Sequence, residues 1–341
     1  MTSTTPLPRW RRNVQLLLRA AAALLLSTLL GGLLGLIVRD RVVVVGWLIY
    51  VPLVPLGGVA LVWELTARGR GLPKVRFGLA LVGALGCVAG LVTMLGSGAT
   101  VAPVAPGVAP LTVVQWNVRW GGGGGGRDGR SERWDSLCRD IAGRAPDIVV
   151  LSECPSEVRV EELKHTLGPE WTSVSSRNGP RAHYLYSLVV AARWPLMLDR
   201  EFAIPSGRVM QVTVAAPGGD VRVVVADGES PFWHDRTARL AAIAQFCRDA
   251  AASGTPIDLI AGDFNAVGRS VGFDAIADAG FTSAGASGRG WRASWPSICP
   301  LYDIDHMWVG ERRWTTTSVE RFTNLVTDHR GQVVRVSVKT N

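Results

Sequence analysis

Acidic residues are nearly missing from the first 110 positions, where Asp40 and Glu64 face ten Lys and Arg, whereas residues 111–341 hold 26 of each sign. The formal charge of +8 therefore belongs to the N-terminal stretch. The remainder of the chain lacks the net positive field with which a protein grips a nucleic-acid backbone, so nucleic acid is not the expected partner. Cysteine is scarce as well: there are five, with no Cys-x-x-Cys pair and no Cys/His cluster, which argues against a zinc site. Cys138, Cys154, Cys247 and Cys299 permit two disulfides in three connectivities, or act as four small buried hydrophobes. No internal repeat is present, which removes solenoid architectures.

Long apolar runs are abundant at the N-terminal end. Ala20–Val38, Val42–Trp63 and Phe77–Gly96 are free of charge and about 19 to 22 residues long, enough to cross a hydrocarbon core. A cleaved signal peptide imitates the first, because Arg9, Arg11 and Arg12 precede it, but two more runs come after it. None has the polar face of a surface helix. Three transmembrane helices are expected, the second kinked by Pro52 and Pro55. Arg68, Arg70, Lys74 and Arg76 lie between the second and third runs, and no basic residue is met beyond the third until Arg119. The positive-inside bias then puts the N-terminus in the cytoplasm and everything beyond residue 96 outside.

The expected organisation is an anchor at 1–96, a Pro/Ala/Gly spacer at 97–110 and a domain at 111–341. LTVVQWNV and DIVVLSE read as strands, and Trp134, Leu137, Cys138 and Ile141 form a helical stripe between them. VMQVTVAAPGGDVRVVVADGES reads as two strands about a Pro-Gly-Gly-Asp turn, RTARLAAIAQFCRDA as a helix, and IDLIAGDFNA, DIDHMWV and TDHRGQVVRVSV as strands. Such alternation fits a mixed α/β domain.

Several of these apolar runs end in a polar residue: Asn117, Glu153, Asp227, Asp263 with Asn265, Asp305, and Asp328 with His329. In GDFNA, an extended backbone projects Asp263 and Asn265 from one face, and Gly262 leaves room for a close neighbour. The alternative is a local Asx turn. Ligands gather at strand ends in α/β sheets. A set of oxygen donors with one imidazole describes a hard-cation site beside a proton-transfer group.

QWN at 115–117, LSE at 151–153, GDFNA at 262–266, IDH at 304–306 and TDHRGQVV at 327–334 resemble the ordered motifs of the endonuclease/exonuclease/phosphatase superfamily. The resemblance covers about residues 111–339. It implies a four-layer αββα sandwich of DNase I-like type and a metal-dependent phosphoric ester or pyrophosphate hydrolase. By that resemblance Glu153 binds Mg²⁺, with Mn²⁺ as a substitute, helped by Asn117. Asp263 orients or deprotonates the attacking water and Asn265 bonds the phosphoryl oxygens. His329 contacts the phosphate, Asp305 fixes its tautomer, and Asp328 completes the metal environment. The apolar N-terminus with an outside domain further resembles VanJ-like membrane proteins. That likeness implies a lipid-linked phosphate or pyrophosphate as substrate and the membrane as partner. An extracytoplasmic nuclease and a catalytically degenerate binding domain are the competing readings.

One position departs from the pattern. The resemblance calls for His or Tyr where VVVADGES carries Asp227. An ionised carboxylate has no proton to donate to a phosphoryl oxygen. Three accounts are open: Asp227 ligates a second metal ion, His234 supplies the proton, or the site is impaired. Arg236 and Arg239 either clamp a phosphate or sit on a helix face. The run of six glycines at 121–126 is either a flexible mouth or inert low-complexity sequence.

Overall fold

A computed structural model of the protein describes residues 9–70, 78–98, 107, 109–122, 131–176, 187–231 and 233–340. The chain forms two compact units, Met1–Met94 and Leu95–Asn341.

The first unit contains α1 (Arg9–Val38), a 3₁₀ segment (Val43–Tyr50), α2 (Leu53–Arg70) and α3 (Gly78–Met94). Ala22, Leu29, Leu53, Ala60 and Leu79 pack together inside it, while Leu17, Leu24, Ile37, Val44 and Val92 remain exposed. At Gly57 a Cβ would overlap the Gly83 carbonyl oxygen, so small residues let α2 and α3 meet closely. The sequence led us to expect three uninterrupted spans, and the structure corrects this. Val51 is extended ahead of Pro52, as a residue before proline prefers, and the two helical pieces around it are bent by 62°. Only α1, with 30 residues, is by itself long and apolar enough to cross a membrane among the described residues; the bent pair makes a second span if counted as one. The helix α3 is apolar but shorter, with 17 residues.

The second unit opens with β1 (Leu95–Ser97), antiparallel to β11 (Arg289–Trp291). Most of the expected spacer, 99–106 and 108, lies outside the described residues, as do 123–126 of the glycine run. One six-stranded sheet has the order β13-β14-β2-β3-β5-β4, built from β2 (Leu111–Asn117), β3 (Ile148–Ser152), β4 (Thr172–Ser175), β5 (Val189–Ala192), β13 (Trp314–Phe322) and β14 (Gly331–Val338). The other has the order β10-β12-β9-β8-β7-β6, from β6 (Leu196–Ile204), β7 (Gly207–Val214), β8 (Val221–Gly228), β9 (Leu259–Asp263), β10 (Phe281–Ser283) and β12 (Asp305–Gly310). Short α4 (Arg119–Gly122) and α9 (Ala284–Ser287) sit in loops, while α5 (Ser131–Ala142), α6 (Glu157–Leu167), α7 (Arg236–Ala252) and α8 (Gly272–Asp278) cover the sheets.

Period-two alternation in the buried strands builds the layers. Val113, Val150 and Val334 of one sheet meet Val212, Val223, Leu259 and Met307 of the other in a shared core. On the far side of the first sheet, Val114, Trp116, Val149 and Leu151 pack under Trp134, Leu137, Ile141, Val160 and Leu163 of α5 and α6. On the far side of the second, Val224, Ile260 and Trp308 pack under Leu240, Ile243, Phe273 and Ile276 of α7 and α8. The result is the αββα sandwich. Each sheet contains one parallel pair, β2 with β3 and β8 with β9, and in each the C-terminal ends lie side by side: Asn117 opposite Ser152, Asp227 opposite Asp263. Antiparallel β12 brings its first residue, Asp305, opposite Asp263, and β14 brings Gln332 opposite Gln115.

Candidate active site

The polar residues at these strand ends meet. Asn117 closes β2 fully buried, and its Nδ2 donates to both Glu153 Oε1 and Asp263 Oδ2, each at 3.0 Å. Its Oδ1 accepts from the backbone of Arg119, and its carbonyl accepts from Thr327 Oγ1. Glu153 leaves β3 with φ 50°, which turns the chain sharply at the sheet edge. Asp263 ends β9 buried, and Gly262 before it has φ 145°; a Cβ there would overlap the Ala226 carbonyl of β8. The group that approaches Gly262 is therefore the neighbouring strand.

The expectation that Asp263 and Asn265 share one strand face is corrected. Asn265 lies past the strand with φ 45°, and its backbone N–H donates to Asp263 Oδ1 at 2.9 Å, which is an Asx turn. Its Nδ2 donates to Gly228 O at 2.8 Å, which carries the side chain toward the end of β8.

On the other side, His329 Nδ1 bonds Asp305 Oδ2 at 2.8 Å and its Nε2 lies 3.9 Å from Asp263 Oδ2. Asp305 is wholly buried, with Gln115 Nε2 donating to its Oδ1 and Gln332 Nε2 donating in turn to Gln115 Oε1. This chain of amides runs from β14 through β2 to β12 and so joins the two sheets. Backbone His329 O receives Trp116 Nε1 at 3.0 Å, which fixes the loop behind the imidazole. Asp328 is held differently from its partners: Trp295 Nε1 donates to Oδ2, Arg119 lies 3.5 Å away, and Oδ1 is buried without a hydrogen bond.

Burial dominates the electrostatics. It lifts Asp263 to about 7, with the Asp305 charge adding to it and His329 opposing. It raises Glu153, against the amide of Asn117. Asp227 is pushed well above the carboxylate range by burial and then by Asp263 and Glu153, and its Oδ2 has no hydrogen-bond partner. Burial would also raise Asp305 and lower His329, but their mutual attraction and hydrogen bond win. Asp305 sits below its usual range and His329 rises to about 10, an imidazolium at neutral pH.

A divalent cation fits this donor set. Buried carboxylates crowd together with an orphaned oxygen on Asp227, and a hard cation offsets that repulsion. Asp263, Asp305 and His329 also place one ligand atom each within 4.8 Å of one another, but His329 Nδ1 is already committed to Asp305. Both Asp263 oxygens accept hydrogen bonds, so the oxygen donors on Glu153 and Asp227 are the better candidates.

His234 is held by Ser206 Oγ at 2.6 Å and Glu229 Oε2 at 2.8 Å. Arg236 and Arg239 do not lie on an exposed helix face. Both are buried, donating to the carbonyls of Asn265 and Ser230, and of Pro205, Phe264 and Glu229, which fastens the loops after β8 and β9. Cys138, Cys154 and Cys247 are buried free thiols, whereas Cys299 is exposed. Sequence reasoning missed Gln115, Gln332, Trp295 and Thr327. The signal for the two glutamines was present, since an amide inside an otherwise apolar strand has to find a partner.

Residues 114–329, more than half of the chain, match the endonuclease/exonuclease/phosphatase family, and the chain belongs to that family. No curated protein gives a significant sequence match. Among solved structures, an endonuclease/exonuclease/phosphatase family protein from Bacteroides thetaiotaomicron shares 15% identity at a TM-score of 0.53, over 69% of this chain and 100% of that one. The human Nocturnin catalytic domain with bound sulfate shares 16% at 0.52, over 67% and 94%. A mannosyl-6-phosphatase from Bacteroides thetaiotaomicron shares 15% at 0.52, over 66% and 99%. At these identities the likeness establishes the fold.

Proposed function

We propose that this protein is a membrane-anchored, divalent-metal-dependent phosphoesterase acting outside the cytoplasmic membrane, on a lipid-linked phosphate or pyrophosphate. The observation that carries the reaction type is the Asn117 amide bridging Glu153 and Asp263 beside the Asp305–His329 pair. Glu153 and Asp227, with Asn117 and the open Oδ1 of Asp328, would hold Mg²⁺ or Mn²⁺. Such a cation, when bound, neutralises charge on the phosphoryl group.

The chain's own residues do the rest. Asp263, raised to about 7, is suited to take a proton from an attacking water near neutral pH. His329, kept charged by Asp305, donates from Nε2 to a phosphoryl oxygen. Asn265 presents its amide from a turn that Asp263 itself fixes. The membrane part of the reading is supported by α1, by the further apolar helices and by the Arg-rich flanks, which favour a cytoplasmic N-terminus. Multi-pass anchoring and the lipid-linked substrate belong to this proposal. The zero net charge of residues 111–341 favours it over a nuclease.

The test is hydrolysis of an isoprenyl pyrophosphate and of plasmid DNA by the full chain, each with and without chelator. Chelator-sensitive release of phosphate from the lipid is expected, and lost in Asp263→Asn. Cleavage of DNA alone reverses the order, and no turnover on any phosphoester leaves a binding domain.

A further inference from the structure

Beside the site lies a group of charges that the reaction does not use. Arg292, next to β11, Arg321 in β13 and Arg330, immediately after His329, each keep a guanidinium nitrogen buried without an acceptor: Nε of Arg292, Nη1 of Arg321 and Nε of Arg330. The carboxylates available to them are few. Asp303 lies 3.3 Å from Arg292, and Asp305, whose field reaches Arg321, is committed to His329. Among the described residues Arg321 and Arg330 have no ion-pair partner, and Arg330 reaches only the Ala293 carbonyl, at 3.1 Å. Burial pushes the Arg321 guanidinium down to about 10, opposed by Asp305 and Asp303 and reinforced by the neighbouring Arg330 and Arg292.

Buried guanidinium nitrogens without acceptors are costly, and a protein retains them where something else supplies the negative charge. The backbone leaves space between two of them. A Cβ on buried Gly285 would stand 3.6 Å from Arg321 Nη2 and 3.8 Å from Arg292 Nε, at ordinary contact distance from both. Planar guanidinium forks suit a tetrahedral oxyanion.

We propose that Arg292 and Arg321, on either side of the bare backbone of Gly285, form with Arg330 a second binding site for a phosphate-class oxyanion next to the Asp305–His329 pair. Binding of the anion stands on the arginine cluster alone. Its use for the second phosphate of a substrate rests on the phosphoesterase reading, and free inorganic phosphate is the other source of the same chemistry.

Titration calorimetry of the detergent-solubilised full chain in chelator, with inorganic phosphate and pyrophosphate as probes, tests the site apart from any metal-linked anion. Saturable binding is expected in wild type and in Asp263→Asn. Arg321→Gln should weaken it about tenfold or more. Gly285→Val fills the space with all three charges in place, and should weaken binding to the same degree at an unchanged melting temperature, which covers the case in which Arg321→Gln misfolds. No binding in wild type, or binding indifferent to both variants, overturns the proposal. Two kinetic outcomes then separate the sources. A KM raised by Arg321→Gln for a pyrophosphate ester, but not for a monoester, assigns the anion to the substrate; equal KM values for both assign it to free phosphate. Arginine-dependent binding in a chain that hydrolyses nothing would keep the cradle and remove the phosphoesterase reading.

Discussion

His329 owes its charge to Asp305, and the pair makes a pH-dependent contribution to stability whose sign is fixed. Its folded pKa, about 10, lies above the ordinary imidazole value of 6.5. The stabilisation is therefore fully present below about pH 6.5 and lost as pH rises through about 10. Thermal melts of wild type should fall across that window, and those of Asp305→Asn should be flatter because the imidazole no longer retains its proton. In turnover, Asp305→Asn and His329→Gln should each cost about 10² to 10⁴. Asp227 gives a sharper distinction. If its unpartnered Oδ2 holds the cation, Asp227→His lowers turnover and raises the Mg²⁺ concentration needed for half-maximal rate. A faster Asp227→His enzyme would mean that the natural protein is the weakened form.

At the level of strands, the register that brings Asp227 opposite Asp263 depends on Gly262. Alanine there meets both a φ of 145° and the Ala226 carbonyl. The conformation alone costs on the order of 1–3 kcal/mol, so Gly262→Ala should lower the denaturation midpoint and activity together; an unaltered midpoint would contradict the close strand approach. Most strands buried on both faces were legible in the sequence, although β5 (Val189–Ala192) was not, being only four residues long. Strands β2, β3, β8, β9 and β12 are apolar runs, and the stripe of Trp134, Leu137, Cys138 and Ile141 in α5 is buried as its spacing requires. Strands β4, β6 and β13 escaped because they are only partly covered and mix Thr, Ser, Asp and Glu with their apolar positions. In the site, the residues at strand ends could be read, but Asn265 was placed by strand periodicity when its conformation is that of a turn. The joint role of Gln115 and Gln332 needs the register of two strands far apart in the chain, which local pattern does not carry.

For the whole molecule, the orientation that the Arg-rich flanks imply can be checked through one thiol. Burial pushes Cys138 and Cys247 up to about 12 and raises Cys154 as well, which makes them poor nucleophiles, while Cys299 is exposed. A membrane-impermeant maleimide should modify the protein in intact spheroplasts, and Cys299→Ser should abolish the signal. Labelling only after permeabilisation would put the domain inside. The amide chain from Gln332 through Gln115 to Asp305 has a mechanical consequence on this scale. Because the His329 imidazole is braced from the opposite half of the sandwich, slippage between the halves misdirects it before either half melts. The protein should thus act as its own strain gauge, losing turnover at hydrostatic pressures or urea concentrations at which its far-ultraviolet spectrum is still intact.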